Sequence, residues 1–150
     1  MLLHTPLGCR LLVRSNGEAI VASGFSRSLK RSPAVSDPLL REARDQVKAY
    51  FRRRLLRFDL PLHFDGAEFE CAVWQAVSQL ETGELISYSD LARALGKPRA
   101  ARGVARAMSR SPLALFVPAH RVVGADGTVR GASRASMRRK LLAFEGINLR

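Results

Sequence analysis

Sulfur, tryptophan and negative charge are all scarce in this chain of 150 residues. The two cysteines, Cys9 and Cys71, stand far apart and form no CxxC pair. That excludes a disulfide framework and points to a reducing compartment. His4, Cys9, His63 and Cys71 show no zinc-ligand spacing, so neither a metal nor a cofactor is expected. No apolar run reaches transmembrane length. The start, MLLHTPLGCRLLVRS, lacks a basic segment followed by an apolar one, so no signal peptide is read and a cytoplasmic location is expected, nucleoid-associated in a bacterium. The shortage of acid is the most informative lack. There are 13 acidic residues against 25 basic ones, for a formal charge of +12. Most of the cations are arginine, whose planar fork suits phosphate and base edges, so a nucleic acid is the first partner to consider. A solvated basic surface is the plainer alternative.

What is present divides into two halves. Leu11–Arg14 and Ala19–Ser23 read as strands of a hairpin, with Asn16-Gly17 as the turn signal through positive φ at both. Gly24–Asp37 is polar and basic and reads as loop. Asp37-Pro38 starts a helix, whose apolar face runs through Leu39, Ala43, Val47, Tyr50 and Phe51 to Leu55. FDLPLHFDG, Phe58–Gly66, reads as a linker. The domains are therefore placed at 1–62 and 63–150.

The second half opens on a helix with Phe69, Val73, Ala76-Val77 and Leu80 on its apolar face and Gly83 just past its end. Ser87 or Ser89 can cap a short helix to Leu95. Gly96-Lys97-Pro98 turns the chain, and Arg99–Ser109 forms a second helix, a helix–turn–helix spacing. Arg99, Arg102, Arg106 and Arg110 make one basic stripe on it. Ala100, Ala101, Gly103, Ala105 and Ala107 are small enough to let a partner approach the backbone. After the apolar run Leu113–Val117, FVPAHRVVGADG carries an alanine, Ala119, between Pro118 and His120-Arg121, and then a turn at Ala125-Asp126-Gly127. Ser136 can cap a last helix, with Leu141, Leu142 and Phe144 inward and Gly146 closing it.

Four ordered stretches carry a resemblance: VWQAV (73–77), ISYSDLARALGKPRAARGVARAMSRSP (86–112), VPAHRVVGADGTVRG (117–131) and KLLAFEG (140–146). With them residues 66–146 resemble the O6-alkylguanine-DNA alkyltransferases, and TPLG (5–8) with its hairpin resembles that family's N-terminal domain more loosely. The resemblance implies an α+β protein: a small N-terminal sheet domain with a helix, ribonuclease H-like, and a mostly helical, winged-helix-like C-terminal domain containing the helix–turn–helix. Family members carry Pro-Cys-His-Arg-Val, and the Cys takes the alkyl group from guanine O6. A His and a Glu, acting through a water, hold that thiol as thiolate. Here Ala119 stands at the Cys position, while His120 and Glu145 match the His and the Glu. The same resemblance makes Arg102 the finger that fills the gap left by a flipped nucleotide, and Tyr88 the tyrosine that crowds the target phosphate. Arg99, Arg106, Ala101, Gly103 and Arg121 join the DNA-binding set. Ala119, Val122, Ser133, Ala132, Ser111 and Tyr88 make up the alkylguanine pocket.

Two further departures accompany Ala119. Ser111 replaces an Asn whose side chain ties turns together, and Ala132 replaces a Tyr, leaving a roomier pocket. With three changes in one pocket, the chain resembles the alkyltransferase-like proteins. That implies a monomer that binds O6-alkylguanine in double-stranded DNA, leaves it unrepaired and flags it for nucleotide excision repair proteins. Two alternatives stand beside this expectation: an alkyltransferase whose Cys was changed to Ala, and a helix–turn–helix regulator reading base edges in the major groove.

Overall fold

The computed structural model describes the chain except residues 29, 33, 129–134 and 148–150 and the side chains of 135 and 136. Alternation along LLVR builds the first sheet: Leu11 and Val13 are fully buried while Arg14 is exposed. Three antiparallel strands, β1 (Leu2–His4), β2 (Arg10–Ser15) and β3 (Ile20–Ser26), lie in the order β1-β2-β3. The hairpin closes as the sequence implies, but by a different device. Only Gly17 has positive φ, at 91°. Asn16 contributes its side chain, whose Oδ1 accepts the N–H groups of Glu18 and Ala19 at 2.9 and 2.8 Å. The β1 strand was not read from the sequence, and β3 runs on into the segment read as loop.

Helix α1 (Pro38–Phe51) starts at its expected cap, with Asp37 Oδ1 accepting the Leu39 N–H at 2.8 Å. It buries Ala43, Val47 and Tyr50 and packs on β2. It ends earlier than Leu55. Arg53 turns left-handed at φ 59°, and the N–H groups of Arg53 and Arg54 close on the carbonyls of Tyr50 and Ala49. The expected linker is partly structural. Ile20 donates to the Pro61 carbonyl at 2.8 Å and accepts from the His63 N–H at 2.9 Å, so Leu62 lies alongside β3.

The chain forms two compact units: Met1–Phe64 with Pro112–Phe116, and Asp65–Ser111 with Val117–Arg150. A single cut after residue 62 therefore misses the return of Pro112–Phe116. Ser23 holds that segment: its N–H donates to the Pro112 carbonyl at 2.9 Å and its hydroxyl to the Ala114 carbonyl at 2.8 Å.

The second unit contains α2 (Glu68–Ser78), β4 (Ile86–Ser87), α3 (Tyr88–Ala94), α4 (Ala101–Ser109), a 3-10 turn (Ala119–Arg121), β5 (Val122–Val123) and α5 (Ala135–Phe144). The architecture is thus mixed α/β, with five α-helices among the described residues. Ser87, not Ser89, caps α3 by accepting the Asp90 N–H at 3.0 Å. Arg99 lies before α4 rather than in it, and Ser136 lies inside α5 rather than at its cap. Gly146, at φ 86°, closes α5. Gly83 does not end α2; it sits in the turn beyond, where Glu84 N–H bonds the Glu81 carbonyl. Trp74 fastens α2 to α4: it is 2 % exposed, and its Nε1–H donates to the Ala107 carbonyl at 2.8 Å.

Gly66 lies flat against that indole. A Cβ there would stand 2.8 Å from both Cη2 and Cζ3 of the buried ring, which has no room to retreat. Gly66→Ala is expected to cost about 1–3 kcal/mol by overpacking, seen as a lower urea midpoint with an unchanged slope.

Candidate functional site

The basic stripe survives folding. Arg102 and Arg106 are exposed on α4, Arg99 is exposed in the turn that leads into it, and Arg110 is exposed at its C-cap. One member is partly spent: Arg110 Nη1 lies 3.8 Å from Glu70 Oε2. No acid stands in the first turn of α4, and no acidic residue occurs between Lys97 and Asp126. Gly103 has a packing role that was not expected of it. A Cβ there would come within 3.1 Å of Phe69 Cε1. Its smallness therefore serves the packing of α4 on α2, which accounts for it without a partner. Ala101, the first residue of α4, is half-buried.

Ala119 opens the 3-10 turn and is half-buried. The turn is set by local bonds: the Ala119 N–H to the Val117 carbonyl at 2.8 Å, and the Arg121 N–H to the Pro118 carbonyl at 2.9 Å. Val122–Val123 then pairs in parallel with Ile86–Ser87. That short ladder ties the Ala119 turn to the start of α3, where Tyr88 is 6 % exposed. Val122 is buried.

Behind the turn lies a buried ionic cluster centred on Glu145, whose side chain is 0 % exposed. Its Oε1 accepts from Arg121 Nε at 2.9 Å and from the Gly83 N–H at 3.1 Å. Its Oε2 accepts from Arg121 Nη2 at 3.1 Å and lies 2.5 Å from His120 Nε2. Arg121 spends its remaining donors on the Leu80 carbonyl, from Nη1 at 2.7 Å, and on Thr82 Oγ1, from Nη2 at 3.2 Å. The expectation that Arg121 contacts DNA is therefore corrected: it is 2 % exposed, and all three of its nitrogens bond inside the unit. The sequence held no local sign of this, because its partners lie 24 to 41 residues away.

Charge in this cluster balances without the imidazole, since guanidinium and carboxylate neutralise each other in a two-bond fork. Burial pushes His120 below its ordinary value of 6.5; the Glu145 hydrogen bond and charge pull the other way, and Arg121 adds to the depression. A neutral ring with Nε2 against the Glu145 carboxylate carries its proton on that nitrogen.

Ser111 lies where an Asn was expected by resemblance. Its Oγ is buried and has no hydrogen-bond partner among the described residues. Ala132 and Ser133, two of the expected pocket residues, lie outside the described residues. Among the described residues no group of His, Cys, Asp and Glu could hold a metal ion, and no helix is long and apolar enough to cross a membrane.

Residues 68–147 match the family described as 6-O-methylguanine DNA methyltransferase, DNA binding domain. A methylated-DNA–protein-cysteine methyltransferase of Methanosarcina barkeri is 36 % identical over 99 % of this chain and 98 % of its own length. The crystal structure of Mycobacterium tuberculosis OGT in complex with DNA superposes with a TM-score of 0.79 at 32 % identity, over 97 % of this chain and 91 % of that one. The S. pombe Atl1 structure, in complex with damaged DNA containing O6-carboxymethylguanine, is similar at a TM-score of 0.50 and 31 % identity, over 55 % of this chain and 80 % of that one.

The His120 shift has a definite sign. Its folded pKa lies below its unfolded value of 6.5, so between the two the unfolded chain binds more protons. Its contribution to stability is complete above about pH 6.5 and is lost as pH falls through the folded value. Urea unfolding followed from pH 8 to about pH 5 should show this loss, and His120→Gln should flatten it.

Proposed function

We infer that this chain, which belongs to the 6-O-methylguanine DNA methyltransferase family, is a member that binds O6-alkylguanine in DNA and leaves the alkyl group in place. The observation that carries the reading is Ala119 in the turn beside an intact His120–Glu145–Arg121 cluster. Transfer to the protein needs a nucleophile with a lone pair, and a methyl group has none. Neither Cys9 nor Cys71 stands in the Pro118–Val122 motif, where the family carries its acceptor.

Binding needs less than transfer does. Turning a base out of the stack costs a few kcal/mol, less for a damaged pair. In this reading Arg102 fills the vacated space, Tyr88 crowds the phosphate of the extruded nucleotide, and Arg99 and Arg106 hold the backbone without regard to sequence. The extruded base lies beside Ala119 and Val122. The held lesion then serves as a flag for nucleotide excision repair proteins. The likeness to a protein solved on DNA containing O6-carboxymethylguanine supports this reading. So does Ser111, which by resemblance stands where the family has an Asn and whose buried hydroxyl has no partner among the described residues. A second reading, favoured by the intact His120–Glu145 pair, is an active transferase whose Cys was exchanged for Ala; the genomic codon at position 119 separates the two.

After incubation with an O6-methylguanine duplex, the intact protein mass should be unchanged while binding is clear. A gain of one methylene overturns the proposal. Arg102→Ala should weaken binding to the lesion duplex more than to the undamaged one, because the finger acts only when a base is out; equal losses reduce Arg102 to a phosphate contact.

A further inference from the structure

The stretch KAYFRRRLLRF, Lys48–Phe58, contains four arginines and a lysine and no acidic residue. Its arginines, Arg52, Arg53, Arg54 and Arg57, are all exposed. None of them is on α4, and all lie in the unit that contains Met1–Phe64. The helix dipole accounts for part of the cluster, because cations are favoured in the last turn of a helix. That covers Lys48 and Arg52. It does not cover Arg54 and Arg57, which lie beyond the end of α1 at Phe51, where the dipole has faded.

The arginine segment is held at both ends. On one side is the α1 cap, with Arg53 at φ 59° and the Arg54 N–H on the Ala49 carbonyl at 2.9 Å. On the other side Phe58 is fixed in an aromatic cluster, 5.6 Å from Tyr50 and 5.0 Å from Phe116 between ring centroids. Gln46 adds a two-way clamp: its Oε1 accepts the Asp59 N–H at 2.8 Å and its Nε2 donates to the Asp59 carbonyl at 2.9 Å. Arg52, Arg54 and Arg57 form no ion pair among the described residues. Three guanidinium groups are thus offered to solvent from a loop whose backbone is already fixed, with little ordering left to do on binding.

We propose that the Arg52–Arg57 loop is a second phosphate-contact surface, which binds the DNA backbone independently of the lesion. It takes its polymer from the DNA-binding reading above but does not depend on lesion recognition. Guanidinium forks match phosphodiester oxygens in pairs, and each neutralised phosphate adds about 0.9 to the salt slope of duplex binding.

The test compares the full chain with its R52Q/R54Q/R57Q variant on lesion and undamaged duplexes from about 50 to 200 mM salt. Arg53 is left alone because its backbone forms the α1 cap. The slope should become shallower by about 2 to 3, affinity should fall by a similar factor on both duplexes, and the lesion preference should stay the same. The R52K/R54K/R57K variant should keep the slope. An unchanged slope overturns the proposal, whether the patch serves an acidic protein, a lipid or nothing. A loss confined to the lesion duplex also overturns it, as does a loss shared by the lysine variant, which would mean a damaged fold. If wild type shows no lesion preference but the slope still falls, this surface stands and the lesion-binding reading falls.

Discussion

One carboxylate organises the second unit. Glu145 receives two bonds from Arg121, one from the Gly83 backbone and one contact from His120, and all of its side chain is out of water. Through Arg121 it also fixes Leu80 and Thr82, so the end of α5, the turn holding Ala119 and the loop after α2 meet at one ion pair. Taking one partner from a buried pair leaves an uncompensated charge and costs about 3–5 kcal/mol. In the proposed reading this is why the His120–Glu145 pair is kept where Ala119 stands at the family's Cys position. An alkyl acceptor is dispensable to the fold; the group that satisfies a buried guanidinium is not.

The same constraint separates what the sequence made legible from what it did not. The hairpin, the Asp37 cap, the apolar face of α1 and the turn at Gly146 are local, and local signals were enough to find them; on α2 they found Val73 and Val77 but not the buried Trp74. The ordered motifs brought Ala119, His120 and Glu145 together before any coordinates did. Arg121 was misread because a surface arginine and a buried one look the same in sequence, and its partners are distant. At Gly103 smallness has a second cause that the sequence did not reveal, because Phe69, against which it packs, is more than thirty residues back along the chain. Likewise Pro112–Phe116 joins the first unit through Ser23, a non-local pairing that no period in the sequence announces.

Charge is distributed so that affinity and recognition are separate tasks. Positive side chains on α4 and in the Arg52–Arg57 loop are exposed, where salt screens them and sequence does not matter. The region around Ala119 is different. Its one titratable base is buried and neutral, its ion pair is internally balanced, and its acceptor position is a methyl group. In the proposed reading such a site distinguishes a modified base by shape and hydrogen bonding, and the Ala119 methyl offers no lone pair to take the alkyl group.

The most direct test is nucleoside analysis of DNA recovered from the protein complex after incubation with a mixture of O6-methylguanine duplex and undamaged duplex of the same sequence. The account predicts O6-methylguanine enriched over the input and chemically unchanged. Recovered guanine in its place, or a bound fraction no richer in the lesion than the starting mixture, would contradict it.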